Sequence, residues 1–387
     1  MVPLFRRTAL ALAALSFVLV ALPSANAAAT PQAAPPPSAT TLAADFDAVR
    51  AALAREENGR ALDLAKAAAA RAEKAFGADS AEAAEAASLV VEARWRSGEP
   101  AKDLLPPARR ALELRGARLK PDDPRLAAHL AQVGGLAAAA GDNRAARPAL
   151  ERAAALVAAL PPADEDRLAA ETAYADFLSA AGEPEKALPL YRRILAVRET
   201  ATPADEVRLA AVLVEVAVAE RRANDYAGAR RDLERALAVQ ERILGPDSLN
   251  VSSTHNSLGN LLRDLGDYSG ALREYERSLA IREKKIGPEN TDIAKSLANI
   301  AIVTSLLGDD LKALELHRRA LAIFEKNEGP DHPDVAAMQI NTALVEKNLG
   351  EIESARERYE RARAIYERAS GPDSANVARV LGDVALL

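Results

Sequence analysis

Four histidines, His129, His255, His317 and His332, are the side chains best suited to acid–base work or metal binding in this 387-residue chain. Their spacing denies them a common site. They fall in different repeats or different elements, and none has a second histidine or a carboxylate cluster at ligand spacing. His332 belongs to a turn motif and His317 to the inward face of a helix, so structural roles are expected for both. The chain contains no cysteine, which removes disulfides and thiolate chemistry together. It lacks a His-Glu-x-x-His helix, a phosphate-cradling glycine loop and a Gly-x-Ser-x-Gly turn. The acid pair Asp309-Asp310 stands at a helix start, where carboxylates serve the exposed N–H groups and the dipole. No catalytic residue, metal or cofactor is expected, and the protein is read as a non-enzyme.

The elements that carry these residues are set by two series of glycines. The mark Gly-Pro-Asp/Glu-x recurs every 42 residues at Gly245, Gly287, Gly329 and Gly371, and Gly77 opens a copy without its proline four periods earlier. A second series, Gly98, Gly182, Gly266, Gly308 and Gly350, keeps the same 42-residue register, with Gly141 one residue out and Asn224 filling another slot. Glycine and asparagine tolerate the positive φ with which helices end, so each period is read as two helices. In the clearest copy Asp247 or Ser248 offers a cap, and Val251, Leu258, Leu261, Leu262 and Leu265 form one helical face. Gly266 ends that helix, Asp267 caps the next, and Tyr268, Ala271, Leu272, Tyr275, Leu279 and Ile281 make its inner face. Small residues at Gly259, Ala301, Ala343 and Ala385, and at Ala229, Ala271, Ala313 and Ala355, are expected to receive the large side chains Tyr191, Leu233, Tyr275, His317 and Tyr359.

Leu258-Gly259, Gly266-Asp267-Tyr268, Ala271, Tyr275 and Ser278 stand in the order and spacing of a tetratricopeptide repeat. The 42-residue period, Leu279-Ala280-Ile281-Arg282-Glu283-Lys284 and Gly329-Pro330-Asp331-His332-Pro333 resemble the longer, kinesin-light-chain-like variant of that family. The resemblance implies an all-α, right-handed superhelical solenoid of antiparallel helix pairs. Eight pairs are expected over 42–370, strongest over 205–370, followed by an unpaired helix over 374–387. The marks decay in the amino-terminal half, and Pro106-Pro107, Pro148 and Pro189 are expected to bend or delay second helices there.

In such an array the first helix of each pair lines a concave groove. The resemblance assigns to it a stripe of Ser253, Asn256, Asn260 and Arg263, then Lys295, Ala298, Ile302 and Ser305, then Ala337, Ile340, Leu344 and Lys347. Beside it run Ser257, Asn299 and Asn341. An amide donates and accepts, so a ladder of asparagines could pair with the backbone of an extended peptide while Ile302, Ile340 and Leu344 take its side chains. The alternative is that the amides bond to neighbouring helices and the aliphatic residues are core. The acidic-peptide clamp of tetratricopeptide co-chaperones is not expected, because Asn256 and Ala337 stand where its lysines would.

Residues 1–27 lie outside this fold: Arg6 and Arg7 precede an uncharged stretch from Thr8 to Leu22, and Ala25-Asn26-Ala27 supplies a small-x-small cleavage site. That layout predicts a signal peptide cleaved after Ala27, with a retained anchor as the alternative. Residues 28–41, rich in Ala, Pro, Ser and Thr, read as a disordered linker. A formal charge of −6 lacks the basic footprint of a nucleic-acid binder. The expected function is an exported periplasmic or secreted scaffold that binds protein or peptide partners, neither inserted in a membrane after cleavage nor bound to nucleic acid. Two alternatives stand beside it. One is the sensor part of a larger effector, such as one with a CHAT-type protease domain. The other is a structural array that self-associates through 374–387.

Overall fold

The computed structural model describes residues 37–55, 57–200 and 206–387; the expected signal peptide and residues 28–36 of the expected linker lie outside them. The described residues form seventeen α-helices and no strand. They fall into two compact units, divided between Pro203 and Ala204.

The amino-terminal unit holds α1 (Pro37–Ala54), α2 (Asn58–Phe76), α3 (Ala81–Arg96), α4 (Ala101–Gly116), α5 (Ala127–Ala139), α6 (Asn143–Val157), α7 (Glu165–Ala180) and α8 (Pro184–Thr200). Its core is largely alanine. Ala61, Ala65, Ala68 and Ala72 of α2 are fully buried beneath Leu42, Phe46 and Val49 of α1. One boundary moves: residues 37–41, assigned from their composition to the linker, are the opening of α1. A proline suits a first helical turn, where its missing N–H has no partner to lose, and Leu42 one turn on is buried. The prolines at 106, 107, 148 and 189 do not delay their helices; α4, α6 and α8 run through them. Each lies within the first two turns, so few helical bonds are forfeited.

The carboxy-terminal unit holds α9 (Glu206–Arg222), α10 (Tyr226–Leu244), α11 (Leu249–Asp264), α12 (Tyr268–Ile286), α13 (Thr291–Leu306), α14 (Asp310–Glu328), α15 (Pro333–Asn348), α16 (Ile352–Ser370) and α17 (Ala375–Ala385). Each helix packs on the next in chain order, in four pairs with α17 against α16. Within the pairs, Leu233, Tyr275, His317 and Tyr359 are all buried, and so are the small residues Ala217, Ala301 and Ala343 of the partner helices. The tightest seat is Gly259, where an added Cβ would stand 2.6 Å from the Tyr275 ring. Ala385, expected to be another such seat, is exposed; among the described residues no second helix covers α17.

The two glycine series do different work. At Gly245, Gly287, Gly329 and Gly371 the backbone takes φ of 79 to 88° with ψ of 157 to 160°, a region that only glycine occupies at ease. The other series needs only a positive φ, and Asn224 supplies it at φ 64°. The rest of the mark divides two tasks between neighbouring residues. Ser248 caps α11 by accepting from the Val251 N–H, which leaves Asp247 to pair with Lys284 of the following helix α12. The same cation–acid step recurs as Lys326 with Glu289, 3.0 Å, and Arg368 with Asp331. Such exposed pairs each contribute little.

These backbone demands separate two substitutions that look alike on paper. Gly287→Ala meets no side chain, so its cost is backbone strain alone, about 1–3 kcal/mol. Gly308→Asn at the permissive slot should cost less than about 1 kcal/mol. Urea denaturation of both variants checks this, and equal losses would contradict the division between the two series.

Candidate functional site

The first helices of successive pairs lie side by side in the carboxy-terminal unit, so residues 42 apart form columns across α9, α11, α13 and α15. One amide of α13 bridges to the first helix of the preceding pair: Nδ2 of Asn299 donates to Oδ1 of Asn256 on α11, 3.0 Å. Asn260 is also engaged, accepting from the Tyr275 hydroxyl at 2.8 Å. Burial pushes that phenol up to about 12, so it stays a donor across the working range. The same link joins Tyr191 to Asp176, 2.6 Å, in the amino-terminal unit.

The charged members of the expected stripe are paired within the protein. Arg263 binds Asp264 at 3.1 Å, and Arg221 of α9 binds the same carboxylate. Lys295 pairs with Asp292, 3.0 Å, on its own helix. Lys347 donates to the Leu386 carbonyl beyond α17, 2.8 Å.

Among the apolar members, Ile302 is half-buried and Leu344 is 41% exposed, an open aliphatic surface across α13 and α15. Of the ten expected groove residues two, Ile340 and Asn341, are buried, seven are half-buried and Leu344 alone is exposed. The column that carries Asn256 on α11 carries only the methyl of Ala298 on α13, itself fully buried, and the flank of α15 beside it is covered. The amides thus do not form the open ladder that their spacing suggested. Asn256 and Asn299 hold each other, Asn260 holds a tyrosine, and the nitrogen of Asn341 has no partner.

The column of Asn299 and Asn341 also contains Glu215 on α9 and Ser257 on α11, a place for Glu215 that period arithmetic alone would have given. Ser257 bonds back to the Ser253 carbonyl, 3.1 Å. Glu215 is half-buried, and loss of hydration pushes its carboxyl up to about 7, against the pull of Arg222. Three of the four histidines take structural places. His332 caps α15 with Nδ1, accepting from the Asp334 N–H at 3.2 Å. His255 bonds to Glu274, 2.7 Å. His317 is buried, which holds its imidazole down at about 4 and therefore neutral. Among the described residues no group of three or more His, Cys, Asp or Glu could hold a metal.

A stack of helix pairs that presents one face of its first helices, with its polar groups spent largely on the scaffold, is the architecture of a protein-interaction module. The tetratricopeptide repeat family model matches residues 208–284, 292–368 and 334–387. Those residues, all in the carboxy-terminal unit, carry tetratricopeptide repeats. The apo form of RapI is similar in structure, with a TM-score of 0.57 at 12% identity over 89% of this chain and 97% of RapI. The Cut9–Hcn1 hetero-tetramer of APC/C contains a chain with a TM-score of 0.54 at 15% identity, covering 89% of this chain and 55% of that one. The kinesin light chain TPR-like repeats of Podosopora anserina match 55% of this chain and 99% of theirs at 22% identity, with a TM-score of 0.46. At these identities the likeness is one of fold. No protein of curated function matches the sequence.

Glu215 makes stability depend on pH with a defined sign. Its folded pKa lies above the ordinary 4.5, so between about 4.5 and 7 the folded chain holds a proton that the unfolded chain has released, and stability falls as pH rises. His317 has the opposite slope, since its folded pKa of about 4 lies below the ordinary 6.5 and stability rises with pH between them. Comparing the parent with Glu215→Gln isolates the first effect. The variant should match the parent near pH 4 and exceed it at pH 8 in urea denaturation, whereas parallel curves would show that Glu215 ionises normally.

Proposed function

We propose that this chain is an exported, non-catalytic scaffold that holds extended segments of protein partners along the first-helix face of its carboxy-terminal unit. The observation that carries the reading is the open aliphatic surface of Ile302 and Leu344, set among polar side chains that are mostly engaged with one another. A surface of that kind selects apolar side chains without demanding a charged partner, and the repeats hold it rigid. The tetratricopeptide repeats support a protein as the ligand. The layout of Arg6, Arg7, the uncharged Thr8–Leu22 stretch and Ala25-Asn26-Ala27 supports export. Among the described residues no helix is long and apolar enough to cross a membrane.

One feature favours a second reading, in which α17 is covered by another helix. Leu381 is 47% exposed and Ala385 is exposed, yet the residues in their columns on α15, Gln339 and Ala343, are fully buried under α16. An array that assembles with a further copy, or a larger effector of which it is the sensing part, would cover that face.

Two measurements test the first reading. Mass spectrometry of the protein from its native host should find a mature chain beginning at Ala28, released without detergent; a chain retaining Arg6 and Arg7 in the membrane fraction would refute export. Peptides selected from a displayed random library on the mature chain should bind with micromolar affinity, near −8 kcal/mol, and lose little of it between low and high salt. Selection that yields only acidic peptides with steep salt dependence would refute the apolar groove. For the second reading, light scattering should show a self-associating chain that Leu381→Glu with Leu386→Glu makes monomeric.

A further inference from the structure

The exposed face of α17 repeats the face of α13 that its own second helix, α14, covers. Ala378, Leu381 and Ala385 stand two periods after Ala294, Leu297 and Ala301. The three on α13 are fully buried, whereas Ala378 and Ala385 are exposed and Leu381 is 47% exposed. What such a face receives follows from the register of the pairs. Residues 19 apart meet across a pair, as His255 with Glu274 and Gln339 with Arg358. The same step leads from Leu297 to Leu316, so the chemistry of this position is matched by the helix opposite. The next residue is the buried knob, Tyr275, His317 or Tyr359, and an alanine precedes each knob by four. Each of these second helices also carries two cations that reach back to acids of the preceding unit. Two residues after the knob, Arg319 pairs with Glu283 and Arg361 with Glu325, both at 2.8 Å. Nine after it, Lys326 pairs with Glu289 and Arg368 with Asp331. The following acids in these two series are Glu367 and Asp373. Among the described residues Glu367 pairs only with Arg363 of its own helix, and Asp373 has no partner.

We propose that α17, with Glu367 and Asp373, docks an amphipathic helix of a partner protein, antiparallel to α17 and of the pattern Ala-x-x-Leu-(Tyr, Phe, Leu or His)-x-(Arg or Lys)-x6-(Arg or Lys). This rests on the second reading above, in which the face is covered, and names what covers it. The alanine lets the two backbones approach, the knob fills the seat at Ala385, and the leucine covers Leu381. The two acids fix direction and register, because a helix that is reversed or slid by a turn cannot bring both cations to them. Among the described residues α14 alone carries the whole pattern, as Ala313, Leu316, His317, Arg319 and Lys326, and it is spent in its own pair. A second copy could offer that helix only by unpacking a unit, which leaves a partner protein as the source.

The probe is a synthetic peptide of residues 310–328, the chain's own instance of the pattern, added at up to millimolar concentration to the mature chain labelled at its alanine and leucine methyls. Signals of Ala378, Leu381 and Ala385 should shift and saturate, while those of Ala294, Leu297 and Ala301 stay. Ala385→Phe, which fills the seat at an exposed position and leaves the fold alone, should abolish the shifts. At low salt a peptide with Arg319→Glu and Lys326→Glu should bind at least about threefold more weakly, and a chain with Glu367→Lys and Asp373→Lys should recover it. At high salt the two peptides should converge. No saturable shift on α17, undiminished binding to Ala385→Phe, or equal binding of the charge-reversed peptide at low salt would overturn the proposal. Light scattering separates its failure from that of the reading beneath it. If the chain self-associates through α17 and the peptide does not dissociate it, a second copy covers the face, so the reading stands and the partner helix is refuted. If the chain is monomeric and the peptide does not bind, both fail.

Discussion

A bulky side chain seated on a residue with almost none sets the distance between the two helices of each pair, and the rest of the carboxy-terminal unit follows from it. Tyr275 rests on Gly259, and Leu233, His317 and Tyr359 occupy the same place over alanines. Close approach of this kind leaves no slack for a helix to rotate, because interiors pack near the density of organic crystals. With the second helices held in this way, the first helices come out in register. Only then can an asparagine of α13 reach its counterpart on α11 at 3.0 Å. The knob also limits what may replace it. Where the seat is glycine the ring lies close, its hydroxyl reaches Asn260, and a polar contact fixes the orientation that packing alone would leave to rotation.

Much of the scaffold was legible in the sequence because its signals are local. A glycine forced to positive φ and a cap residue after it are decided within a few residues of chain, and they repeat. The limits of that legibility are equally physical. Asp247 and Ser248 both read as possible caps; Ser248 does the capping, and Asp247 reaches a lysine 37 residues on, a contact that no local pattern encodes. The opening of α1 was hidden because Pro37 and the residues after it have a linker's composition, while the helix there is settled by what Leu42 buries.

The face of the first helices was less legible than the fold. Periodicity assigns a residue to a face of its helix, but exposure depends on the neighbouring helix as well. Ile340 and Asn341 occupy the right columns and are nonetheless covered, since Ala298 stands where α11 has an asparagine. The sequence contained that difference as a single Asn-to-Ala exchange between two repeats in one column. Its meaning appears only once Asn299 is seen donating across the helix gap. Glu215 was overlooked for a related reason: an acid on a helix reads as solvated surface, and the desolvation that raises its pKa comes from packing that the local sequence does not encode.

The cation–acid step along the marks, Lys284 to Asp247, Lys326 to Glu289 and Arg368 to Asp331, has the same length each time, 37 residues, and the same chemistry. Its energetic weight is slight, but its periodicity has a genetic consequence. Excision or duplication of any whole 42-residue block within this stretch leaves every remaining acid facing a cation at the same offset. Gain or loss of a whole unit would therefore lengthen or shorten the array without breaking this ladder of pairs. The number of units, and with it the reach of the surface, is a quantity that this gene can vary in single steps.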